Sequence, residues 1–320
     1  MGPTRYDLIA VGEVLIDLIS EQVAPALDEA EQFRRFPGGQ VANVAWNVSL
    51  LGGRSAVVGC VGADGFGRFL QQELNRVGVE TRYLRDVAAA PTTLSFIVRH
   101  TATPDFIIYR GADSLLSPSQ IPVQAIAQTR ALHASAFSLS LEPARSAVLH
   151  ALRVAREANC LVSFDPNYHP RIWNDTVPAL KVLEEAYAYV NVTKPSRDDC
   201  CRLFGPQTAP ERCISRFLDW GADLVVLTAG REGALVALQS GERWEMRPQE
   251  IAVSDVTGAG DAFWAGLLVG LLDGLPPRRA TQVGQFVAER KLRTFGPLRE
   301  PLNRSEIYRV LWKDAPHPKS

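Results

Sequence analysis

Short apolar runs alternate with longer amphipathic stretches along most of the chain, and this pattern predicts the architecture. Residues 8–12, 56–61, 160–164 and 223–227 form apolar runs of strand length. Continuous apolar runs are typical of parallel strands that are buried on both faces. With the helical segments between them, they predict a doubly wound, mostly parallel α/β sheet. We also predict a strand at 188–192 and helical structure from Asp261 to about residue 293.

One region departs from this alternation. Residues 93–98 and 106–109 are rich in β-branched and aromatic side chains and are joined by a Thr/Pro turn, which predicts a hairpin without an intervening helix. Together with the segment that begins near Glu13, the hairpin is predicted to form a small β-sheet outside the main core. We expect a lid built from about residues 13–36 and 91–111. No repeat or linker divides the chain, so we predict a single α/β domain over residues 1–320.

The turn at 255–261 reads Asp-Val-Thr-Gly-Ala-Gly-Asp and leads into an apolar helix. Glycine permits backbone angles that let N–H groups converge on an anion, and the N-terminus of a helix attracts negative charge. Asp261 falls in the first helical turn, where it can take a proton from an attacking hydroxyl group. The alternative is a simple helix cap, since Asp is a favoured capping residue.

A second glycine pair, Gly38 and Gly39, precedes another predicted helix, with Asn43 in its first turns. The Asn43 amide is a candidate ligand contact or a helix cap. Asp17 interrupts an apolar strand, where it either faces water at a strand end or accepts hydroxyl groups of a polar substrate. Polar and glycine-rich residues also follow the strands before 165, 193 and 228. Ligands bind at the carboxyl ends of strands in open α/β sheets, so the residues that follow these strands predict one ligand cleft.

Composition narrows the class of protein. The formal net charge is −1, which gives no reason to expect a nucleic-acid or membrane partner. The apolar run at 265–272 is shorter than the roughly 20 residues that span a bilayer. Acidic residues near the start of the chain interrupt any signal-peptide core, so we expect a cytoplasmic protein. The five cysteines form no CxxC pair, and we expect them to be reduced.

Several motifs, taken in order, resemble those of the PfkB (ribokinase-like) sugar kinases. They are Gly38-Gly39 with Asn43, Asp165-Pro-Asn167, Lys194, Thr228-x-Gly230 and the turn ending at Asp261. The resemblance extends over nearly the whole chain, and its terminal motif is highly specific. With Gly12-Glu13, Asp17 and Arg110-Gly-Ala-Asp113, the sequence is most similar to bacterial fructokinases.

This resemblance implies ATP-dependent phosphorylation of the primary hydroxyl group of a small sugar, most simply fructose to fructose 6-phosphate. Asp261 would act as the base, and the N–H groups of Gly258, Ala259 and Gly260 would stabilise charge on the transferring phosphoryl group. The implied sugar contacts are Asp17, Gly38, Gly39, Asn43, Phe96 and Arg110. The implied nucleotide contacts are Asn167, Lys194, Thr228, Gly230 and Gly233. Mg²⁺ would accompany ATP, held mainly by phosphate and water.

The sequence departs from the family pattern at three places. Ser196 and Asp199 stand where the family commonly has Asn-x-x-Glu, so Asp199 is the candidate residue near the metal. His169 stands where fructokinases often have arginine, with Arg171 two positions on. The family usually has small residues near the last long helix, around adenine and a monovalent cation, whereas residues 286–297 are bulky and charged. The resemblance allows activation by K⁺ and a homodimer through the lid.

Other functions are compatible with the sequence. A kinase of the same fold could act on ribose or 2-keto-3-deoxygluconate. A sugar- or nucleotide-binding regulator could retain the fold without turnover, which the intact glycine turn and Asp261 argue against. An unrelated doubly wound nucleotide-binding enzyme is disfavoured, because no GxGxxG motif is present and a β-hairpin interrupts the alternation.

Overall fold

The structure, a computed structural model, describes residues 6–99, 105–173 and 178–312. The chain forms two compact units. The first contains residues up to Asp113 and from Glu250 onward, and the second contains Ser114–Gln249. None of the helices in the described ranges has both the length and the apolar character needed to span a bilayer.

The first unit begins with a parallel α/β arrangement. Its elements are strands β1 (Leu8–Val11), β2 (Leu15–Val23) and β3 (Phe33–Gly38), helix α1 (Gln40–Leu50), strand β4 (Ser55–Gly62), helix α2 (Gly65–Arg76), and strands β5 (Glu80–Val87), β6 (Leu94–Arg99) and β7 (Phe106–Tyr109). β4 pairs in parallel with both β1 and β5. All residues of β1 and β4 are buried, as the continuous apolar runs predicted.

The remaining strands of this unit form a separate four-stranded sheet in the order β3-β2-β6-β7. β2 pairs antiparallel with β3 and parallel with β6, and β6 pairs antiparallel with β7. This confirms the predicted small sheet and its hairpin. Residues 100–104 of the segment that we assigned to the lid lie outside the described residues.

Two helices follow the glycine-rich turn, in the region that we predicted to be helical up to about residue 293. α9 (Ala259–Leu272) and α10 (Pro277–Leu292) are separated by a short turn. Gly274 has a φ of +81°, and Pro277 occupies the first turn of the second helix, where a missing N–H costs nothing. The region is helical as predicted, and this Gly/Pro segment separates the two helices.

The second unit contains helix α3 (Val123–Ile126), strand β8 (Ala131–Ser135), helices α4 (Ala136–Leu139) and α5 (Ala144–Glu157), strand β9 (Leu161–Asp165), helix α6 (Ala179–Tyr187), strand β10 (Val192–Thr193), helices α7 (Arg197–Phe204) and α8 (Pro210–Asp219), and strands β11 (Leu224–Thr228), β12 (Ala234–Leu238) and β13 (Arg243–Met246). β8, β9, β10 and β11 are parallel neighbours. β12 and β13 continue the sheet as antiparallel strands. The mostly parallel α/β class is confirmed.

Two local predictions in this unit were wrong. The strand that we predicted at 188–192 is only Val192–Thr193, because α6 extends to Tyr187 and a turn follows it. Cys200 and Cys213 are joined by a disulfide bond, with their Cα atoms 6.0 Å apart. Helices α7 and α8 bring these cysteines together, although neither belongs to a CxxC pair. Cys60, Cys160 and Cys201 are free. After α10, the chain ends its described part with α11 (Arg304–Leu311), which belongs to the first unit.

Candidate active site

The glycine-rich turn forms a helix entry of the predicted kind. Gly258 is the N-cap of α9 and has a φ of +77°, in the left-handed region that disfavours other residues. Asp261 lies in the first turn of α9, where the end of the helix favours a negative charge. The N–H of Ala259 donates to the Val256 carbonyl at 3.2 Å. The N–H of Ala259, which we predicted to face the anion, is therefore used in a hydrogen bond within the turn.

The side chain of Asp261 is held by the other glycine-containing motif. Nδ2 of Asn43 donates to Oδ2 of Asp261 at 2.9 Å. Asn43 lies in the first part of α1, which begins directly after Gly39. The bond orients one carboxylate oxygen of Asp261, and the two sequence motifs that carried separate predictions are brought together in one site.

Asp17 lies inside β2 and is only 8% exposed, so it is not at a strand end that faces water. Gly38 on the neighbouring strand leaves room for its carboxylate. A Cβ atom at residue 38 would lie 2.2 Å from Oδ2 of Asp17, which is far inside van der Waals contact. The absence of a side chain at Gly38 therefore creates the space in which this carboxylate sits.

The surroundings of Asp17 change its protonation. Burial raises the pKa of Asp17 to about 8, and the negative charges of Asp261 and Asp255 add to the effect. The group is therefore mostly protonated at pH 7 in the free protein. A protonated carboxyl both donates and accepts hydrogen bonds, which suits binding of sugar hydroxyl groups.

A small cleft opens beside these groups. Its lining residues include three predicted site residues, Asp17, Asn43 and Gly258, together with Ile19, Phe36, Pro37, Trp46, Asn47, Thr257, Lys291, Gly296, Pro297 and Leu298. The cleft thus combines apolar walls with a small number of polar groups, as ligand sites usually do.

Asn47 is a lining residue that the sequence analysis missed. It lies one helical turn after Asn43 on α1, and its Nδ2 donates to the Asn43 carbonyl at 2.8 Å. Its Oδ1 is buried and has no hydrogen-bond partner within the part of the chain that the structure describes. The spacing of four residues from Asn43 was the available signal, since both positions share one helical face.

Two predicted sugar contacts lie elsewhere. Asp17 pairs with Ser95 across the small sheet, whereas Phe96 pairs with Leu18. Successive side chains alternate between faces, so Phe96 lies on the face opposite to Asp17. Arg110 forms a salt bridge with the buried Asp113, with Nη2 and Oδ2 2.6 Å apart. Neither Phe96 nor Arg110 lines the cleft, and the structure does not group them with Asp17.

In the second unit, the predicted phosphate-side residues lie at the exits of β9 and β10. Nζ of Lys194 is 3.4 Å from Oδ2 of Asp165, and both side chains are buried. Oδ1 of Asp165 accepts the N–H of Asn167 at 3.0 Å. Asn167 adopts a φ of +29°, a conformation that asparagine tolerates better than most residues. Asp165 therefore fixes both Lys194 and the backbone at Asn167.

The side chain of Asp199 is used for structure. Its Oδ2 accepts the N–H and hydroxyl of Ser196 in a capping box at the start of α7, and its Oδ1 accepts the N–H of Tyr168 at 2.8 Å. Burial is the main cause of its raised pKa. In the described residues, no group of three or more His, Cys, Asp or Glu side chains is arranged to hold a metal ion. Asp199 therefore belongs to the capping box of α7, whose N-cap is Ser196.

The sequence also departs from the family pattern at His169 and Arg171. Burial, followed by the charges of Arg202 and Arg171, lowers the pKa of His169 to about 4. The ring is therefore neutral at pH 7 and carries no positive charge for a phosphate. Arg171 is exposed.

The predicted nucleotide residues surround the turn after β11. Thr228 donates its N–H to the Pro195 carbonyl at 2.9 Å, and Ala229 donates to the Gly233 carbonyl at 2.8 Å. Gly230 begins a short 3₁₀ turn between them. Thr228, Gly230 and Gly233 are thus collected in one loop at the carboxyl end of a strand, where ligands bind in sheets of this class.

Comparison with known proteins decides the family. The model of the pfkB family carbohydrate kinases matches residues 6–300. The chain belongs to this family. It is 36% identical, over 297 residues, to an ATP-dependent 6-phosphofructokinase of Thermoanaerobacterium thermosaccharolyticum, covering 92% of this chain and 90% of that protein.

Solved structures support the same assignment for this pfkB family kinase. The fructokinase of Halothermothrix orenii is 34% identical, with a TM-score of 0.77 over 87% of this chain and 97% of that one. A sugar kinase from Pyrococcus horikoshii in complex with ATP is 27% identical, with a TM-score of 0.83 over 94% of this chain and 97% of that one. The kinase fold, with its small separate sheet, is therefore the fold of this chain.

One buried ion pair of this pfkB family kinase was missed by the sequence analysis. Nζ of Lys291 on α10 is 3.3 Å from Oδ2 of Asp255, and both side chains are almost completely buried. Lys291 also lines the cleft. Little in the sequence indicated this role, because Lys291 follows Arg290 at the end of an amphipathic helix, where basic residues are common.

Proposed function

We propose that this kinase transfers the γ-phosphoryl group of ATP to the primary hydroxyl group of fructose, giving fructose 6-phosphate. The observation that carries the proposal is the position of Asp261. Its carboxylate lies in the first turn of α9, is oriented by Asn43, and adjoins a cleft lined by Asp17 and Asn43. A base beside a polar sugar pocket is what a hydroxyl acceptor requires.

In the proposed reaction, Asp261 accepts the proton of the attacking hydroxyl group. The positive end of α9, at Gly258 and Gly260, stabilises charge on the transferring phosphoryl group. Asp17, with its protonated carboxyl, and Asn43 hold sugar hydroxyl groups, and Gly38 and Gly39 leave room for them. Phosphoryl transfer depends mainly on such positioning and charge stabilisation.

We assign the nucleotide to the strand exits of the second unit. Lys194 and Asn167 would contact ATP phosphates, and Thr228, Gly230 and Gly233 would line the nucleotide loop. Mg²⁺ would be held by phosphate oxygens and water, as is usual for this ion, because the carboxylate of Asp199 is already occupied as a helix cap. The proposal includes no requirement for K⁺, since the ammonium group of Lys291 already lies against the oxygen atoms of Asp255.

Fructose 6-phosphate is a second candidate substrate, because one relative is a 6-phosphofructokinase. The charges at the cleft favour a neutral sugar. Lys291, the basic residue among the described lining residues, is paired with Asp255. A phosphate dianion would therefore meet little free positive charge in this cleft.

The small sheet is proposed to act as the lid and as a dimer contact. On the face opposite to Asp17, Ile107 and Tyr109 are 44% and 59% exposed, and the Tyr109 ring packs edge-on against Phe96. A second copy of the chain would cover this apolar face. Light scattering should report a dimer and Tyr109→Glu a monomer, whereas Val310→Glu on α11 should remain dimeric. A monomeric wild-type protein would remove the dimer from the proposal.

We place the enzyme in the cytoplasm, where ATP is available.

An ADP-release assay tests the substrate. Purified protein with ATP and Mg²⁺ is supplied with fructose, fructose 6-phosphate, ribose, glucose, 2-keto-3-deoxygluconate or no sugar. The proposal requires the highest kcat/KM with fructose, because a site built for particular hydroxyl groups rejects analogues that leave its polar groups unpaired. A preference for fructose 6-phosphate would support the proposed phosphoryl transfer but show that fructose is not the preferred substrate. ATP binding without turnover of any sugar would favour a regulatory protein.

A further inference from the structure

Lys291 is buried in a way that lysine rarely is without a partner. It is 3% exposed. Its Nζ lies 3.3 Å from Oδ2 of Asp255, 3.4 Å from the Asp255 carbonyl and 3.1 Å from the Thr294 carbonyl. An ammonium group has three donors, and here three oxygen atoms face it. We call these three atoms the oxygen set.

Asp255 connects this ammonium group to the catalytic turn. Its carboxylate is buried, and its Oδ1 accepts the N–H of Thr257 at 2.9 Å. Its Oδ2 also accepts the N–H of Gly296 at 3.1 Å. Thr257 directly precedes Gly258, the N-cap of α9. The orientation of Asp255 therefore fixes the start of the helix that carries Asp261.

The local charge balance makes the cation important. Asp17, Asp255 and Asp261 are close enough for the last two to raise the pKa of Asp17. Burial lowers the pKa of Lys291, whereas the negative charges of Asp255 and Asp261 act in the opposite direction. Removing one member of a buried ion pair leaves the other as an uncompensated charge. Without a cation, the buried charge of Asp255 would be uncompensated, which favours movement of its carboxylate out of this position.

We propose that the Lys291 ammonium group is a tethered cation that holds Asp255 and the Gly258 turn in place, so that phosphoryl transfer needs no monovalent metal ion. Hard cations take oxygen ligands, and the oxygen set is of that kind. A free K⁺ does not fit there, because the ammonium group already lies against these atoms. Lys291 is a positioning residue that acts through Asp255. The inference rests on the kinase reaction of the proposed function and is independent of the identity of the sugar.

The first test uses the wild-type protein. Turnover with the best sugar acceptor is measured in potassium chloride and in tetramethylammonium chloride at equal ionic strength, with all components free of K⁺ and NH₄⁺. Tetramethylammonium is too bulky for a small oxygen site. We expect the two kcat values to agree within about twofold, a difference equivalent to well under the 1.4 kcal/mol of a tenfold change. Activation by K⁺ of about tenfold or more would overturn the proposal.

The second test removes the ammonium group. In tetramethylammonium chloride, we expect kcat of Lys291→Ala to fall about 10- to 100-fold, the range caused by small misplacement of reacting groups. Added K⁺ or methylammonium should restore activity with saturation, because the truncated side chain leaves space beside the oxygen set. Lys291→Met should lose activity and resist rescue, since its side chain fills that space. Arg290→Met, on the exposed neighbouring position, should behave like the wild type.

Thermal unfolding gives a readout that does not depend on turnover. A cation that binds only the folded state raises Tm with its concentration. Exchanging tetramethylammonium for K⁺ should raise the Tm of Lys291→Ala and leave that of the wild type and Lys291→Met unchanged. A folded Lys291→Ala protein whose Tm and kcat ignore K⁺ and methylammonium would contradict the proposal. If no sugar is phosphorylated, the proposed function fails, while these Tm shifts still test the tethered cation.

Discussion

The side-chain amide of Asn43 donates a 2.9 Å hydrogen bond to the carboxylate of Asp261, although 218 positions separate the two residues. Asn43 belongs to α1 and Asp261 to α9, and each follows a glycine-rich entry. The bond leaves the second carboxylate oxygen, Oδ1, outside this contact. An oriented carboxylate of this kind has the geometry of a general base.

Loss of the Asn43 amide should therefore impair the chemical step. We expect Asn43→Ala to lower kcat by about 10- to 100-fold, because the base is no longer held in its productive orientation. Asn75→Ala, at an exposed position in the same unit, serves as the control and should leave kcat unchanged. Steady-state kinetics with the best sugar acceptor measures both variants. An Asn43→Ala enzyme with wild-type kcat would show that Asp261 does not depend on this bond.

The raised pKa of Asp17 predicts a pH-dependent stability. The folded-state pKa of Asp17 is about 8, against an ordinary value of 3.8 for aspartate. The folded state therefore holds its proton more tightly than the unfolded state, and stability falls as the pH rises from about 4 to 8. Asp17→Asn mimics the neutral form and should lack this contribution. Chemical unfolding across that pH range should give a stability difference, variant minus wild type, that grows with pH. A constant difference would mean that Asp17 is ionised in the folded protein at all these pH values.

A methyl group at residue 38 should disturb Asp17 directly. The Cβ of Gly38→Ala would lie 2.2 Å from Oδ2 of Asp17, so the carboxylate must move. We expect KM for the sugar to rise by about tenfold or more, equivalent to about 1.4 kcal/mol, with a much smaller change in KM for ATP. Gly65→Ala is the matched control, since the nearest atom to its Cβ is a side-chain nitrogen of Arg68 at 3.8 Å. An equal rise in both KM values would separate Asp17 from sugar binding.

The contact between α9 and α10 predicts a stability effect that is distinct from the sugar site. A Cβ at Gly266 would lie 2.8 Å from both the Gly284 Cα and the Val283 carbonyl oxygen. These are backbone atoms that cannot turn aside, so Gly266→Ala should destabilise the protein by about 1–3 kcal/mol. Denaturant unfolding measures this, again with Gly65→Ala as the control. Wild-type stability in Gly266→Ala would mean that α9 and α10 are packed less closely than the 2.8 Å distances imply.

Local signals were sufficient to predict the turn at Gly258, the first-turn position of Asp261 and the small sheet with its hairpin. These features depend on glycine conformation and on residue periodicity, and both can be recognised from residues that are close together in the sequence. The contacts of Phe96 could not be predicted in this way. Its face is decided by the register of β6 against β2, and a shift of one residue would move it to the other face.

Long-range partners explain the other differences. Lys291 looks like a surface residue at the end of an amphipathic helix, and only folding brings it to Asp255, 36 positions earlier. Cys200 and Cys213 are joined because α7 and α8 pack together. No cysteine motif in the sequence predicts this pairing. Asp199 could be predicted as an acid near the phosphate side. Its role in the capping box of α7 depends on Ser196, whose N–H and hydroxyl both donate to Oδ2 of Asp199.

The role of Asp261 as the catalytic base is tested by the turnover of Asp261→Asn with the best sugar acceptor, measured alongside its affinity for ATP. The substitution removes a base but little volume, so we expect kcat to fall by at least about 100-fold while ATP binding stays close to that of the wild type. Asp86→Asn, at an exposed position, should remain fully active under the same conditions. Wild-type turnover by Asp261→Asn would contradict the assignment of Asp261 as the catalytic base.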